Sequence, residues 1–232
     1  MNSVSFGSTY KIDTTKNFQH QGDIIDFCDK NNVDYGIKTE AQERFNGFRY
    51  NNTSKTTATI LAPDSKDGLI EAYLANKGIK FDKLNTADLM KKSSINSRIQ
   101  NPPKYMKLVE VNTEKLEELL SNQDTNIEHC KKDYDNYYKD SVENLIKSGD
   151  KLSATSLHII PTGESAEDTV NYVKTFGADR LNDGQLSIIF NQRTDDPDHC
   201  MYFGLKDLGF DKVPVYVDKE TFEIGKALEL FK

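Results

Sequence analysis

The alternation of apolar and polar residues near the start of the chain predicts a strand, a helix and a hairpin. Residues 4–12 alternate with a period of two, which is typical of a strand with one buried face. Residues 17–31 place apolar side chains at helical spacing and end at two asparagines, so they predict a helix. Residues 43–50 and 55–62 flank a polar stretch, and this pattern predicts a hairpin whose turn is at 51–54.

The next segment predicts a second helix and a return strand. Asp64 or Ser65 is a suitable N-cap, and the helix is expected to run to about Lys77, directly before Gly78. Residues 79–81 are expected to return as a strand. The β-α-β-β-α-β order that results resembles the ferredoxin-like split arrangement.

A polar segment with a double proline divides the chain. Residues 91–104 contain Pro102 and Pro103, which cannot continue a helix. We therefore expect three parts: an N-terminal α/β domain (1–90), a basic polar linker (91–104) and an acidic C-terminal α/β domain (105–232). The fold class predicted is α/β, or α+β with segregated sheets, as two layered sub-domains of mixed sheet covered by helices.

The second half alternates between strand and helix patterns. In chain order these predict a strand at 105–111, helices within 113–149 that break near 122–124, a strand at 153–160, a helix ending near Phe176, a strand at 185–190, a helix at 197–208, a strand at 213–217, and a hairpin or a last helix after Asp218. Pro214 predicts an edge position or a strand start. The long helical stretch predicts one packing face: Ile127, Cys130, Tyr134, Tyr137, Ser141 and Leu145.

Two segments share the same order of strand, turn, helix and helix-stop residues. Residues 58–85 and 154–182 each contain a strand pattern, a proline turn, a helix with an inward tyrosine and a glycine stop. This similarity suggests an internal duplication. The alternative is that unrelated β-α-β units use the same residues at their turns.

The composition is compatible with a folded core, and the charge distribution limits the classes of binding partner. The chain has 36% apolar residues, but 11 tyrosines and 12 phenylalanines supply enough large rings for a core. Residues 108–232 carry 14 basic and 25 acidic side chains, a net charge of −11, whereas residues 91–107 carry five basic and no acidic ones. Such an acidic half repels nucleic acid and anionic membranes, and it tolerates basic protein partners or cations.

Cysteine usage and hydropathy predict a location. The three cysteines are an odd number and lie far apart, so we expect a reducing, cytoplasmic compartment. The first thirty residues show no secretory signal pattern, and no apolar run approaches the roughly 20 residues that span a bilayer. The sequence therefore predicts a soluble intracellular protein with no membrane partner.

The sharpest candidate site combines two predicted strand ends. Arg193, Asp196, His199 and Cys200 follow one strand, and His158 lies near the end of another, where sites collect in open α/β sheets. A cysteine near a histidine and a helix N-terminus can be a nucleophile. Neighbouring helix residues point about 100° apart, so the base for Cys200 would be His158 rather than His199. The alternative is an acidic loop that starts a helix, with Cys200 packed inside.

The remaining motifs do not predict a cofactor, a metal site or an anion-binding site. Glycine-rich nucleotide loops, nucleophile elbows and paired zinc-binding cysteines are absent, so we expect no cofactor. His-Cys occurs at 129–130 and at 199–200, but adjacent residues on a helix are poor zinc ligands, and we expect no metal. The turn at 162–165 fits helix capping better than anion binding.

The basic segment is the weak candidate for nucleic-acid contact. Its cations are Lys91, Lys92, Arg98, Lys104 and Lys107. Only one aromatic ring accompanies them, which is a thin signal for stacking on bases, so nucleic-acid binding is not favoured over a solvated linker.

The leading functional hypothesis is a non-catalytic binding or interaction protein with an unidentified protein partner. It depends on the missing catalytic set, the few arginines and histidines, and the large polar surface. The alternative is a small intracellular enzyme, a hydrolase or transferase, with its site at the strand ends near 158–165 and 191–200.

Overall fold

The chain folds into two compact units in the computed structural model. Residues 7–45, 50–190 and 200–231 are described, with the backbone alone for 41–45 and 50–53. The first unit holds Met1–Ser94 with Ile146–Asp150, and the second holds Ile95–Leu145 with Lys151–Lys232. The first crossing between units therefore lies inside the segment predicted as a linker.

The first unit is built on a four-stranded sheet with its two long helices on one face. Its elements are β1 (Ser8–Asp13), α1 (Phe18–Asn31), β2 (Asp34–Phe45), β3 (Tyr50–Ala62), α2 (Asp67–Asn76), β4 (Asp82–Asn85) and α3 (Thr86–Leu89). Within the described residues the sheet has the order β2-β3-β1-β4, and every neighbouring pair is antiparallel. This order is the ferredoxin-like split arrangement expected from the sequence.

The core of the first unit lies between the sheet and its two long helices. Tyr10 and Ile60 from the strands are fully buried with Ile24 of α1 and Leu74 of α2. Alternate residues of each strand point to the opposite face, where Thr9 donates to the carbonyl of Lys147 at the end of a helix and Lys11 meets Asp150 at 2.5 Å. The segment 146–150 therefore packs with the first unit although it comes from the second half of the chain.

Three local predictions in this unit need correction. The segment expected as the hairpin turn, 51–54, belongs to β3, whose pairing with β2 extends to Phe45 and Tyr50; residues 46–49 lie outside the described residues. The return strand starts at Asp82 rather than at residue 79. Neither Asp64 nor Ser65 is an N-cap: a 3₁₀ turn at Asp64–Lys66 precedes α2, the N-cap positions of the two segments are Pro63 and Lys66, and neither makes a side-chain capping hydrogen bond.

The predicted linker contains a helix, α4 (Lys92–Arg98), whose Ile95 is fully buried. After the helix, the amide of Gln100 donates to the carbonyl of Leu152 at 2.8 Å. The segment is therefore more than a solvated tether.

The second unit is built on a mixed sheet. Its elements are β5 (Lys107–Asn112), α5 (Thr113–Leu120), β6 (Asp124–Thr125), α6 (Ile127–Asp133), α7 (Lys139–Ser148), β7 (Thr155–Pro161), α8 (Ala166–Phe176), β8 (Leu186–Phe190), α9 (Met201–Asp207), β9 (Lys212–Val217) and α10 (Lys219–Ala227). Among the described residues the sheet order is β5-β9-β7-β8-β6, with β7 parallel to β9 and antiparallel to β8. The antiparallel sheet of the first unit and the mixed sheet of the second, each with helices, confirm the predicted α/β class.

The structure decides between the alternatives predicted for the last strand and for the segment after it. β9 is the second strand of its sheet, so the edge position expected from Pro214 is wrong. The pairing with β7 begins at Val215, after the proline, which fits the alternative of a proline near a strand start. Asp218 caps a last helix, α10, rather than turning a hairpin.

The predicted packing face of the long helical stretch is correct only in its first half. Its buried members are Ile127, Cys130 and Tyr134. A π-helical turn at Tyr134–Tyr138 then adds a residue to the helical repeat. The inward face moves on by one position to Val142 and Ile146, and Tyr137 is 75% exposed instead.

The duplication hypothesis is not supported by the topology. In the first segment, β4 returns parallel to β3, with β1 between them. In the second, β8 returns antiparallel to β7 and beside it. Leu84 lies in a strand, whereas its match, Leu181, lies in a turn before β8. The shared prolines and glycines therefore mark the turns and helix ends of two units with different topologies.

Candidate functional site

A histidine and an aspartate contact each other across two neighbouring strands of the mixed sheet. His158 lies in β7 on the face opposite to the buried Leu157, and Asp218 directly follows β9. Ser156 pairs with Tyr216, so Asp218 lies level with His158. The Nδ1 atom of His158 is 3.0 Å from Oδ2 of Asp218, and the histidine side chain is 25% exposed.

Asp218 holds both a helix and the imidazole. Its Oδ1 accepts a hydrogen bond from the amide of Thr221 at 2.8 Å, which caps α10. Burial alone would raise the pKa of Asp218, but the hydrogen bonds from Thr221 and His158 outweigh it and hold that pKa below its usual range. An ionised Asp218 accepts the proton of Nδ1, so a neutral His158 presents Nε2 as an acceptor. The pair can therefore orient an imidazole toward a ligand or a proton.

Cys200 lies in a different environment from His158. It is fully buried, and desolvation, with smaller contributions from Cys130 and Asp133, raises its pKa to about 12. The rings of Tyr202 and Phe203 in the following helix pack on Phe190, which pairs with Leu157. Cys200 therefore belongs to the layer on the Leu157 face of the sheet, whereas His158 points to the other face. This placement matches the packed-inside interpretation of Cys200 and gives no support to a His158–Cys200 nucleophile.

The other three predicted residues, Arg193, Asp196 and His199, lie outside the described residues. Their proposed convergence with His158 stays a prediction.

The ends of three helices of the second unit surround a cavity of about 520 Å³. We call it the helix-end cavity, and it is lined from the segments 115–123, 173–181 and 227–230. Its lining contains polar and apolar surface in equal parts, and its buried members, Val173, Leu228 and Leu230, are apolar. Three acidic side chains and one basic one also line it, and all belong to residues that are exposed or half-buried: Glu118, Asp179, Glu229 and Lys115. The cavity thus combines buried apolar residues with a mostly acidic mouth.

Local capping rules place these helix ends. Asn112 caps α5 by accepting a hydrogen bond from the amide of Lys115 at 3.0 Å. α8 stops at Gly177, whose φ of +93° is open to glycine but not to most side chains. α10 ends with the amide of Leu230 donating to the carbonyl of Gly225 at 2.8 Å, in a Schellman turn.

Sequence reasoning missed the helix-end cavity. Its residues come from three segments more than forty positions apart, and no motif links them. The glycine stop at Gly177 was recognised, but only as a helix terminator. The end of α10 gave no signal, because Glu229 stands where a glycine is usual.

A partly buried ion-pair network occupies the first unit. The ammonium of Lys83 lies 2.8 Å from Asp67 and 2.7 Å from Glu71, and Ser8 donates to Asp67 at 2.7 Å. Tyr10 donates to Glu71 at 3.2 Å, and burial raises the pKa of Tyr10 to about 12. Each carboxylate already has its cation, so the cluster stabilises the join of β1, α2 and β4.

The basic segment does not form one continuous patch of unengaged cations. Lys91 pairs with Asp88 at 2.6 Å. Lys104 and Lys107 lie over the rings of Tyr105 and Phe222, at 5.0 and 4.2 Å from the ring centres. Lys92 and Arg98 belong to α4. The expectation that nucleic acid is not the favoured partner stays a prediction.

Two other kinds of feature are absent from the described residues. No helix there is both long and apolar enough to cross a membrane. No group of three or more histidine, cysteine or acidic residues in that part of the chain is arranged to hold a metal ion. Comparison of the chain with protein-family models, with curated proteins and with solved structures found no match.

Proposed function

We propose that the protein is a non-catalytic binding protein that takes a short basic segment of a protein partner into the helix-end cavity. The observation that carries this proposal is the combination of buried apolar residues and an acidic mouth in one cavity of about 520 Å³. Binding pockets for small groups typically measure about 300–1,000 Å³. This cavity is large enough for one large apolar side chain and part of its backbone.

The charge of the chain favours a basic occupant. Residues 108–232 carry 11 more acidic than basic side chains, and Glu118 and Asp179 bring that excess to the cavity. A cation beside the inserted apolar side chain meets these carboxylates in an exposed setting. Long-range attraction also raises the encounter rate of a basic partner, and this contribution weakens with salt.

An exposed apolar ring extends the surface next to the cavity. Phe176 is 60% exposed at the end of α8, and the next residue, Gly177, lines the cavity. Its ring packs on Tyr172 at 5.0 Å. A bound segment therefore has an apolar surface to lie on as it leaves the cavity.

The test uses two matched peptides and fluorescence anisotropy. The lysine peptide has one leucine flanked by lysines, and the glutamate peptide has glutamates in their place. The double variant Glu118→Lys/Asp179→Lys should weaken binding of the lysine peptide about tenfold, since each exposed pair is worth roughly 0.2–1 kcal/mol and reversal adds repulsion.

The matched control is Glu223→Lys, an exposed acid of α10 that does not line the cavity. It should change the affinity for the lysine peptide much less than the double variant does. Equal binding of the lysine and glutamate peptides, or equal effects of the control and the double variant, would refute the proposal.

A second candidate function is a small hydrolase or transferase with its site at the strand ends near 158–165. The His158–Asp218 contact of 3.0 Å favours it, because a carboxylate on Nδ1 prepares Nε2 to accept a proton. Hydrolysis of p-nitrophenyl acetate and phosphate esters should then fall in His158→Gln and in Asp218→Asn, which retains a capping side chain. Equal rates in the wild type and both variants would reject this candidate.

We also propose a cytoplasmic location. Cys28, Cys130 and Cys200 are buried thiols rather than disulfides, which fits a reducing compartment. Fractionation of the producing cell tests this proposal, and recovery from an oxidising compartment would contradict it.

A further inference from the structure

We propose that Lys115 is a built-in competitor in the helix-end cavity: it holds Glu229 in the free protein, and a basic residue of the partner displaces it. This inference rests on the proposed function and names the regulation of that site. It makes Glu229 the anchor for the partner's cation and Lys115 the residue that sets the affinity.

The ion pair is positioned to be replaced. The Nζ atom of Lys115 lies 2.7 Å from Oε2 of Glu229, and both residues line the cavity. The side chain of Lys115 is 41% exposed and that of Glu229 is 79% exposed. An ion pair in such a wet setting is weak, so a second ammonium can exchange with the first at little cost.

The backbone of Glu229 is fixed by the turn that ends α10. Its φ is +57°, in the left-handed region that favours glycine. The amides of Glu229 and Leu230 donate to the carbonyls of Lys226 and Gly225, at 3.1 and 2.8 Å, and hold it there. A glycine would satisfy this turn with less strain. The turn therefore fixes Glu229 at the wall of the cavity, within ion-pair distance of Lys115.

The remaining charges of the cavity leave Lys115 as its internal cation. Among the described lining residues it is the one basic side chain against three acidic ones. Asp179 lies 3.8 Å from Nε of Arg180, at the long end of ion-pair distances. Removing the charge of Lys115 therefore releases Glu229 while Glu118 and Asp179 stay as they are.

A double-mutant cycle separates competition from general electrostatics. Lys115→Met should tighten binding of the lysine peptide about threefold, the size expected for an exposed ion pair. Glu229→Gln should weaken it by a similar factor. In the Glu229→Gln background, Lys115→Met should have no further effect, because the two residues act through one contact.

The outcomes distinguish this inference from the proposed function. If the wild type binds the lysine peptide but Lys115→Met binds it no more tightly, the competitor role is wrong and the proposed function stands. If Lys115→Met tightens binding equally in both backgrounds, general charge explains the effect and the competitor role is again wrong. If neither the wild type nor Lys115→Met binds the peptide, both proposals fall. Thermal unfolding of each variant verifies that it is folded, and Lys115→Gln provides a second neutral variant.

Discussion

Gly225 and Gly22 offer a matched pair of glycine-to-alanine substitutions with opposite expected effects. Both lie inside helices, Gly225 in α10 and Gly22 in α1. A Cβ on Gly225 would overlap the ring of Phe231, with Cδ2 of that ring only 2.6 Å away. A Cβ on Gly22 meets nothing within 4 Å. The two substitutions therefore share the helix-propensity change and differ in the clash.

The magnitude depends on the position of the ring. Phe231 is only 7% exposed and stacks on Phe222 at 6.3 Å between ring centres. Displacing a buried side chain of this size costs about 1.5–3 kcal/mol. Alanine regains about 0.5–1 kcal/mol over glycine in a helix interior. Gly225→Ala should therefore lower the free energy of unfolding by about 1–2 kcal/mol, and Gly22→Ala should raise it by about 0.5–1 kcal/mol.

Urea unfolding followed by circular dichroism measures both effects. The midpoint should move down for Gly225→Ala and up for Gly22→Ala, with unchanged slopes. Gly225→Ala should also weaken lysine-peptide binding, because the chain next to Phe231 forms the wall of the cavity at 227–230. A Gly225→Ala protein as stable as the wild type would refute the packing of Phe231 against α10.

Three further predictions concern titratable groups. The pKa of Asp218 is lowered in the folded protein, so the stability that its carboxylate contributes is present above the unfolded pKa near 3.8 and is lost as the pH falls below that value. Asp218→Asn should therefore flatten the acid limb of a plot of stability against pH. An unchanged acid limb would contradict the capping contact. Burial raises the pKa of Cys28 to about 11 and that of Cys200 to about 12. Both thiols should therefore react with Ellman's reagent in urea but hardly at all in the native protein at neutral pH. Rapid labelling of either thiol in the native protein would show that it is not buried. Burial raises the pKa of Tyr10 to about 12, so its stabilisation is present below its unfolded value near 10 and is lost as the pH rises toward 12. The absorbance titrations of the folded wild type and of Tyr10→Phe should therefore coincide up to about pH 11, and one additional tyrosine ionising near pH 10 in the wild type would contradict the burial of Tyr10.

The fold was largely predictable because its elements are locally encoded. Alternation in β1, the asparagine stop after α1 and the glycine after α2 each predicted what the structure contains. The hairpin turn was misplaced because its strands are polar along most of their length. The alternation of apolar and polar residues is then too weak to predict where the pairing of the two strands ends.

Errors in the second unit came from non-local effects. The π-helical turn at Tyr134–Tyr138 shifts the buried face by one residue, and no residue type in that turn predicts a π-helix. Pro214 is tolerated away from the edge because its pairing with β7 starts one residue later. The return of 146–150 to the first unit depends on contacts such as Lys11–Asp150, which join residues 139 positions apart.

The candidate site was the least predictable part. His158 was singled out from its position near a strand end, but its partner Asp218 was interpreted only as a turn or helix-cap residue. The helix-end cavity depends on how three helix termini meet, which no spacing within one segment encodes. Charge, in contrast, was predictable: the acidic excess of residues 108–232 reappears at the mouth of that cavity.

Titration of the ¹⁵N-labelled protein with the lysine peptide, monitored by amide chemical shifts, tests the proposed binding site most directly. The largest shifts should fall in the segments 115–123, 177–181 and 227–230, with little change around His158 and in the first unit. Unchanged shifts in these three segments at a saturating peptide concentration, or changes centred on His158 and Asp218, would contradict the assignment of binding to the helix-end cavity.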